Sequence, residues 1–347
     1  MITGIMANRV YCTYFDHRYL SRGLALYHSL QRHAPGSRLW VLCLTDECYR
    51  TLTSLDLPDL IPRRLCEFEA EDPEVAATKS TRSLLEYYFT CSPAWMLFVL
   101  KCEPSAEWVT YLDGDLYFFE PPDAIYRELE ASAVAIIPHR YSAKNSRLLR
   151  FGTYNVGWVG ARNDPDGIEA IAWWREKCIE WCHDYVDGDR FADQGYLNSF
   201  ASRFRRVKII ENIGANLAPW NIGNYRIDFG NDRVMIDATS PLIFFHFQGM
   251  KRGLGWFIFN SHRAHRAPFT ADVRKHVYKP YVDELLAIES KVGPILGVSD
   301  VTPHRRSAVI DLRQYLENMA RNIRNRLFQL LDLATGRAFV VLRGTAY

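Results

Sequence analysis

The 347-residue sequence predicts an α/β fold: a mostly parallel sheet flanked by helices on both faces. Three observations predict it. Apolar runs alternate with helical patterns from residue 9 onward, and the run at 38–44 is apolar throughout after Arg38, as a strand buried on both faces must be. A further apolar run, 107–112, stops at two carboxylates, and strands of such sheets end where ligands bind.

The elements follow in order. Residues 9–15 (Arg-Val-Tyr-Cys-Thr-Tyr-Phe) are β-branched and aromatic, which makes them the first strand. Residues 19–34 place Leu20, Leu24, Tyr27 and Leu30 at helical spacing, and Pro35-Gly36 ends that helix. The strand at 38–44, a helix from Asp46 and a short strand over 64–68 continue the alternation. Helical stretches over 81–89 and 94–101 precede the strand at 107–112. Further strands are expected at 133–137, 154–160 and 241–246. An amphipathic helix with an acid-rich start is expected between 164 and 185, and another begins over 193–200. Residues 292–302 are rich in Gly, Pro, Ser and Val and suit a linker. Beyond them Leu312, Leu316, Met319, Ile323, Leu327 and Leu330 recur at spacings of three and four, a separate amphipathic helix. The expected organisation is a main domain over 1–291, a linker over 292–303 and a basic helical extension over 304–347. There is no internal repeat and no low-complexity segment.

Composition narrows the class. With 48% hydrophobic and 24% charged residues the chain suits an ordinary folded protein, and a formal charge of +2 gives no reason to expect a nucleic-acid partner. The 14% aromatic content suits sugar rings or a well-packed core. From His304 onward there are eight Arg against three acids, Asp311, Glu317 and Asp332, so the extension carries about +5. Such a helix can meet an anionic membrane surface through Arg313, Arg321, Arg324 and Arg326, or pair in a dimer. The eight cysteines form no CxxC and no zinc spacing. The opening Met1-Ile2-Thr3-Gly4-Ile5 lacks a signal-peptide pattern, and no run of 18 apolar residues occurs. The expected location is the cytoplasm, with peripheral contact to the inner face of the membrane.

The chemistry concentrates in Trp108-Val-Thr-Tyr-Leu-Asp113-Gly114-Asp115-Leu-Tyr-Phe-Phe119. Two acids at i and i+2 point the same way on an extended chain. Their repulsion is costly unless a cation lies between them, and hard oxygen ligands suit Mn²⁺ or Mg²⁺. Such a cation can neutralise a diphosphate leaving group. Asp-Gly is also a strong turn signal, so a surface turn is the alternative. The apolar runs on both sides argue instead for burial, where paired acids need a partner.

Tyr111-Leu-Asp113-Gly114-Asp115-Leu-Tyr-Phe118 resembles the Asp-x-Asp signature of nucleotide-sugar glycosyltransferases with the GT-A fold, nearest to glycosyltransferase family 8. Three later segments are similar to that family in order and spacing. Tyr154-Asn155-Val156-Gly157 matches Phe-Asn-x-Gly, Asp193-Gln194-Gly195-Tyr-Leu-Asn198 matches Asp-Gln-x-x-Leu-Asn, and His246-Phe-Gln-Gly249 matches His-x-x-Gly. The opening Cys12-Thr13-Tyr-Phe-Asp16-His-Arg-Tyr19 resembles its nucleoside-binding segment, and the likeness covers about residues 9–260.

The resemblance implies a GT-A domain that transfers a sugar, with retention, from a nucleoside-diphosphate sugar such as a UDP-sugar to a saccharide or glycolipid acceptor. Asp113, Asp115 and His246 would hold Mn²⁺ or Mg²⁺. Thr13, Asp16, Tyr19, Gly114 and Asn155 would contact the donor. Asp193 and Gln194 would be the catalytic pair, Gln194 lying opposite the leaving group. Lys79 and Arg82, in a segment that differs in detail from the family's Arg-containing helix, would reach the donor or else lie on a solvated helix face. Lys251 or Arg252 would replace the family's phosphate-binding Lys, because Met250-Lys251-Arg252-Gly253 stands where Lys-Pro-Trp is usual. In Asn216-Leu-Ala-Pro-Trp220-Asn221, Trp220 and Asn221 would meet the acceptor, or the Trp would anchor a loop.

Two enzyme classes compete. An Asp-x-Asp phosphohydrolase carries its motif on the first strand, followed by Thr or Ser, whereas here the motif starts at 113 and Leu116-Tyr117 follow it. A nucleotidyltransferase needs an N-terminal Gly-rich phosphate loop, which residues 12–19 lack. From a different class comes a non-catalytic nucleotide-sugar-binding protein, separated from a transferase by turnover.

Overall fold

The computed structural model describes residues 8–230, 232–253, 255–293, 327–328, 330–342 and 344–347. In chain order its first strands are β1 (Arg9–Phe15), β2 (Arg38–Cys43), β3 (Leu60–Arg64), β4 (Trp108–Leu112), β5 (Leu116–Phe118), β6 (Val134–Pro138), β7 (Tyr154–Arg162) and β8 (Val207–Ile209). All but β5 join one seven-stranded sheet in the order β3-β2-β1-β4-β7-β6-β8. β7 alone runs against its neighbours, pairing antiparallel with β4 and β6, while the other pairings are parallel. This is the mostly parallel sheet that the alternation predicts.

Strand alternation fills two cores. Tyr11 and Phe15 of β1, with Leu39 and Val41 of β2, face one side. There they meet Leu20, Leu24 and Tyr27 of the helix Leu20–His33, and Tyr281 and Leu285 of the helix Lys279–Val292. Val10, Cys12, Trp40 and Leu42 face the other side, against Trp95 of the helix Leu84–Cys102 and Trp174 of the helix Pro165–Glu180. Ser83 and Glu86 start the first of these in a reciprocal capping box, and Asp164 caps the second through Gly167 N at 2.9 Å.

Several boundaries differ from the sequence expectation. The third strand lies at Leu60–Arg64 rather than 64–68, and Leu65–Glu71 is helical. Pro62 is tolerated because β3 is an edge strand paired only with β2. The helical stretches at 81–89 and 94–101 are one helix, with Pro93 inside it. Residues 193–200 hold a short 3₁₀ segment, Gln194–Ser199, rather than the start of a long helix.

The C-terminal extension is not helical throughout. Residues 330–334 are helical, but Ala338–Leu342 forms a strand antiparallel to Trp256–Phe259. The run Ala-Phe-Val-Val-Leu is β-branched, and Phe339 buries against Phe259. Most of the basic amphipathic pattern, including Arg313, Leu316, Arg321 and Arg326, lies outside the described residues. Among the described residues no helix is long and apolar enough to cross a membrane.

Candidate active site

The site forms along one edge of the sheet. β1, β4 and β6 run parallel, so their carboxyl ends open together, and the reversed β7 begins at the same edge. Asp16 follows β1, Asp113 follows β4, His139 follows β6, and Asn155 opens β7. After the Asp113-Gly114-Asp115 turn, β5 pairs antiparallel with Phe244–His246 and sets His246 opposite Leu116. That register delivers the imidazole to the carboxylates. His246 Nε2 lies 3.1 Å from Asp115 Oδ1 and 3.6 Å from Asp113 Oδ2.

Asp115 and His246 are buried, 7% and 3% exposed, while the Asp113 side chain is 32% exposed. Tyr111 Oη donates to Asp113 Oδ1 at 3.0 Å. Burial pushes Asp113 above the usual carboxylate range; His246 pulls it down, and Asp115 pushes it further up. Burial acts the same way on Asp115, but the imidazole and Arg22 outweigh it and hold the group low. Burial lowers His246, and the charge and hydrogen bond of Asp115 more than reverse that.

The three ligand atoms lie within 4.8 Å of one another, a grouping able to hold a metal ion. Two carboxylates and an imidazole suit Mn²⁺ or Mg²⁺ among the hard and borderline cations. The backbone makes room for this set. A Cβ on Gly157 would stand 2.6 Å from Asn155 Oδ1 and 2.9 Å from the His246 ring, so only glycine lets both side chains approach. Gly249, at φ +71°, turns the chain away just after the histidine, where a Cβ would strike Ser261 Oγ.

The triad lines a cleft of about 560 Å³. Asp16, Tyr19, Gly114, Asn155, Asp193, Gln194 and Trp220 line it as well. Asp16 Oδ1 accepts from Arg18 N and Tyr19 N at 2.9 and 3.2 Å, which fixes the turn carrying Tyr19. Gln194 Nε2 donates to Phe151 O at 2.8 Å. Its chain rests on Gly152, whose φ of +125° and lack of Cβ that contact requires.

Other expected residues are not brought to the cleft. Thr13 is buried within β1. Lys79 pairs with Glu69 at 2.6 Å, and Arg82 donates to the carbonyls of Ile179 and Cys182. Both cations are thus spent on the fold, and neither lines the cleft. Lys251 lies in the strand Met250–Gly253 and is not among the lining residues, and Arg252 is buried against Glu289 at 3.0 Å. Trp220 does line the cleft, but it is only 2% exposed and its Nε1 donates to His139 O. Asn221 is buried, binding the carbonyls of His139 and Asn216. The loop-anchor alternative accounts for both.

The sequence reading passes over Tyr14, Arg18, Tyr88, Phe89, His139 and Tyr141, all of which line the cleft. Arg18 lay within the segment already singled out. His139 was findable as the residue just beyond a parallel strand.

Asp193 is buried, and its backbone carbonyl accepts from Trp174 Nε1 at 2.8 Å. Burial pushes its carboxyl up to about 7; a Ser92 hydrogen bond opposes this and the Asp113 charge adds to it. An unfolded Asp titrates near about 4, so folding favours the protonated form and wild-type stability falls as pH rises between these values. Asp193→Asn is therefore expected to gain melting temperature relative to wild type from about pH 4 to 7 and to level off above. Melting scans across this range check it, and a pH-independent offset contradicts it.

The sequence is 33% identical over 281 residues to the uncharacterized protein YfnD of Bacillus subtilis strain 168, covering 78% of this chain and 87% of that protein. The chain belongs to the YfnD family. YfnF of the same organism, also uncharacterized, is 32% identical over 250 residues, covering 70% of this chain and 81% of that one. No family model matches the sequence. Among solved structures, the galactosyltransferase LgtC with donor and acceptor sugar analogs aligns at a TM-score of 0.48 and 14% identity, over 80% of this chain and 95% of that one. Mouse xyloside xylosyltransferase 1 aligns at 0.42 and 11%, over 70% and 98%.

Proposed function

We propose that the protein is a metal-dependent glycosyltransferase, related to glycosyltransferase family 8, that uses a nucleoside-diphosphate sugar such as a UDP-sugar. The observation that carries this reading is the convergence of Asp113, Asp115 and His246 in a cleft also lined by Asp193 and Gln194. A divalent cation on the triad would draw charge from a diphosphate leaving group. Tyr14, Tyr19, Tyr88 and Phe89 offer aromatic surface for a base. Arg18, the only Lys or Arg lining the cleft among the described residues, supplies a positive charge for phosphate. Asp193 binds sugar hydroxyls, and Gln194, pinned through Phe151 O, sits beside the transferred sugar. An amide is a poor nucleophile and no base, so same-face attack with retention fits Gln194. The acceptor is a saccharide or glycolipid. Residues 1–291 form the catalytic domain, 292–303 the link and 304–347 an extension that returns to it as a strand.

The test is a screen of nucleotide sugars with and without Mn²⁺, reading release of the nucleoside diphosphate. Mn²⁺-dependent release from at least one donor is expected. Binding without release from any donor would leave a non-catalytic binding protein, and phosphate release from simple monoesters would return the phosphohydrolase.

A further inference from the structure

Three side chains link the metal-ligand candidates to the backbone in a line whose hydrogen-bond direction is forced from one end. His139 Nδ1 lies 3.3 Å from Thr153 O. A carbonyl only accepts, so Nδ1 carries the proton and donates. Burial drops the basicity of His139 to about 3, so the ring is neutral and its Nε2 can only accept. Asn155 Nδ2 meets that Nε2 at 3.3 Å and donates, which settles the orientation of the amide. Its Oδ1 then faces His246 Nδ1, also at 3.3 Å, and must accept. A neutral imidazole has one N–H, so a donating Nδ1 leaves Nε2 bare.

We propose that His139, acting through Asn155, is a positioning residue that holds His246 in the tautomer with its proton on Nδ1, turning the Nε2 lone pair onto Asp113 and Asp115. Three acceptors then converge, with Nε2 at 3.1 and 3.6 Å from the two carboxylates. Only a cation satisfies all of them, a metal ion or a proton held within the cluster. The purpose of the relay therefore rests on the metal reading above, while its polarity does not.

The rest of the neighbourhood keeps the line in place. Tyr141 stacks on the His139 ring at 4.5 Å and 9°, and Trp220 packs edge-on against both His139 and His246. Trp220 Nε1 and Asn221 Nδ2 both donate to His139 O, at 2.9 and 2.8 Å. The burial of Trp220 and Asn221 is thereby accounted for: they hold the start of the relay. Ligating histidines are commonly fixed by a partner on the second ring nitrogen, and loss of such partners weakens metal binding.

The test uses full-length protein with ¹⁵N-labelled histidine, recorded at a pH where His246 is neutral. Two-bond ¹H–¹⁵N correlations are expected to show the Nδ1–H form in wild type, and an Nε2–H form overturns the proposal. In parallel, Mn²⁺ affinity is read from the paramagnetic resonance signal of the unbound ion. His139→Phe is expected to weaken binding by about 10–100-fold. His139→Gln, whose amide can donate to Thr153 O and accept from Asn155, is expected to stay within about threefold of wild type. Wild-type affinity in the Phe variant, or equal losses in both variants, overturns the proposal. If wild type binds no Mn²⁺ yet shows the Nδ1–H form, the relay stands and the metal reading fails.

Discussion

Asp113→Asn and Asp115→Asn are each expected to lower nucleotide-sugar turnover by at least about a thousandfold, a loss of roughly 4 kcal/mol of transition-state stabilisation. The amide keeps the volume of the carboxylate but gives up its charge and most of its affinity for a hard cation. The fold has no need of the Asp113 charge. Asp113 is pushed up by burial and by Asp115, so Asp113→Asn relieves repulsion, whereas Asp115 is held low by His246 and Arg22, so Asp115→Asn gives up a supporting pair. A melting temperature at or above wild type should therefore accompany the lost activity in Asp113→Asn, and a lower one in Asp115→Asn. Turnover within tenfold of wild type in either variant, or collapse of the fold in Asp113→Asn, would contradict this.

Arg252→Leu is expected to have the largest effect on stability. The guanidinium and Glu289 are 7% and 6% exposed, and Nε and Nη2 approach the carboxylate at 3.0–3.3 Å. Removing the cation strands a buried acid, which costs about 3–5 kcal/mol, or on the order of 10 °C of melting temperature. Burial already raises Glu289 even with its partner present. Without the partner it is raised further, so the deficit of the variant should shrink as pH falls and Glu289 takes up a proton. The double variant Arg252→Leu with Glu289→Leu should recover most of the loss. Thermal melts at neutral and mildly acidic pH check this; a single-variant loss under about 2 °C would contradict it. This pairing also explains why Arg252 is not the phosphate-binding cation expected at that position.

Much of the seven-stranded sheet was legible in the sequence because strands buried on both faces leave unbroken apolar runs. β1, β2, β4 and the helices packed on them follow directly from that pattern. β3 was displaced because Pro62 breaks an apolar run without breaking an edge strand, and Leu65–Glu71 carries a single buried Phe68. Hairpins such as Met250–Gly253 with Trp256–Phe259 were not legible, since strands of four residues are specified by distant partners. In the site, Asp113 and Asp115 could be read from local spacing. His246 needed the motif, because its place depends on the nonlocal pairing with β5. Lys79 and Arg82 misled for a related reason. Their partners, Glu69 and the carbonyls of Ile179 and Cys182, are brought to them only by the fold. The role of His139 was hidden because a histidine's tautomer is set by contacts that no linear pattern shows.

Metal removal and return tests the central claim most directly. With a donor that the protein turns over, release of the nucleoside diphosphate is followed in Mn²⁺, after chelation by EDTA, and after Mn²⁺ is restored in excess. The triad account predicts that EDTA abolishes release, that Mn²⁺ restores it in wild type, and that Asp113→Asn stays inactive throughout. Release in EDTA at the rate seen in Mn²⁺ would contradict it.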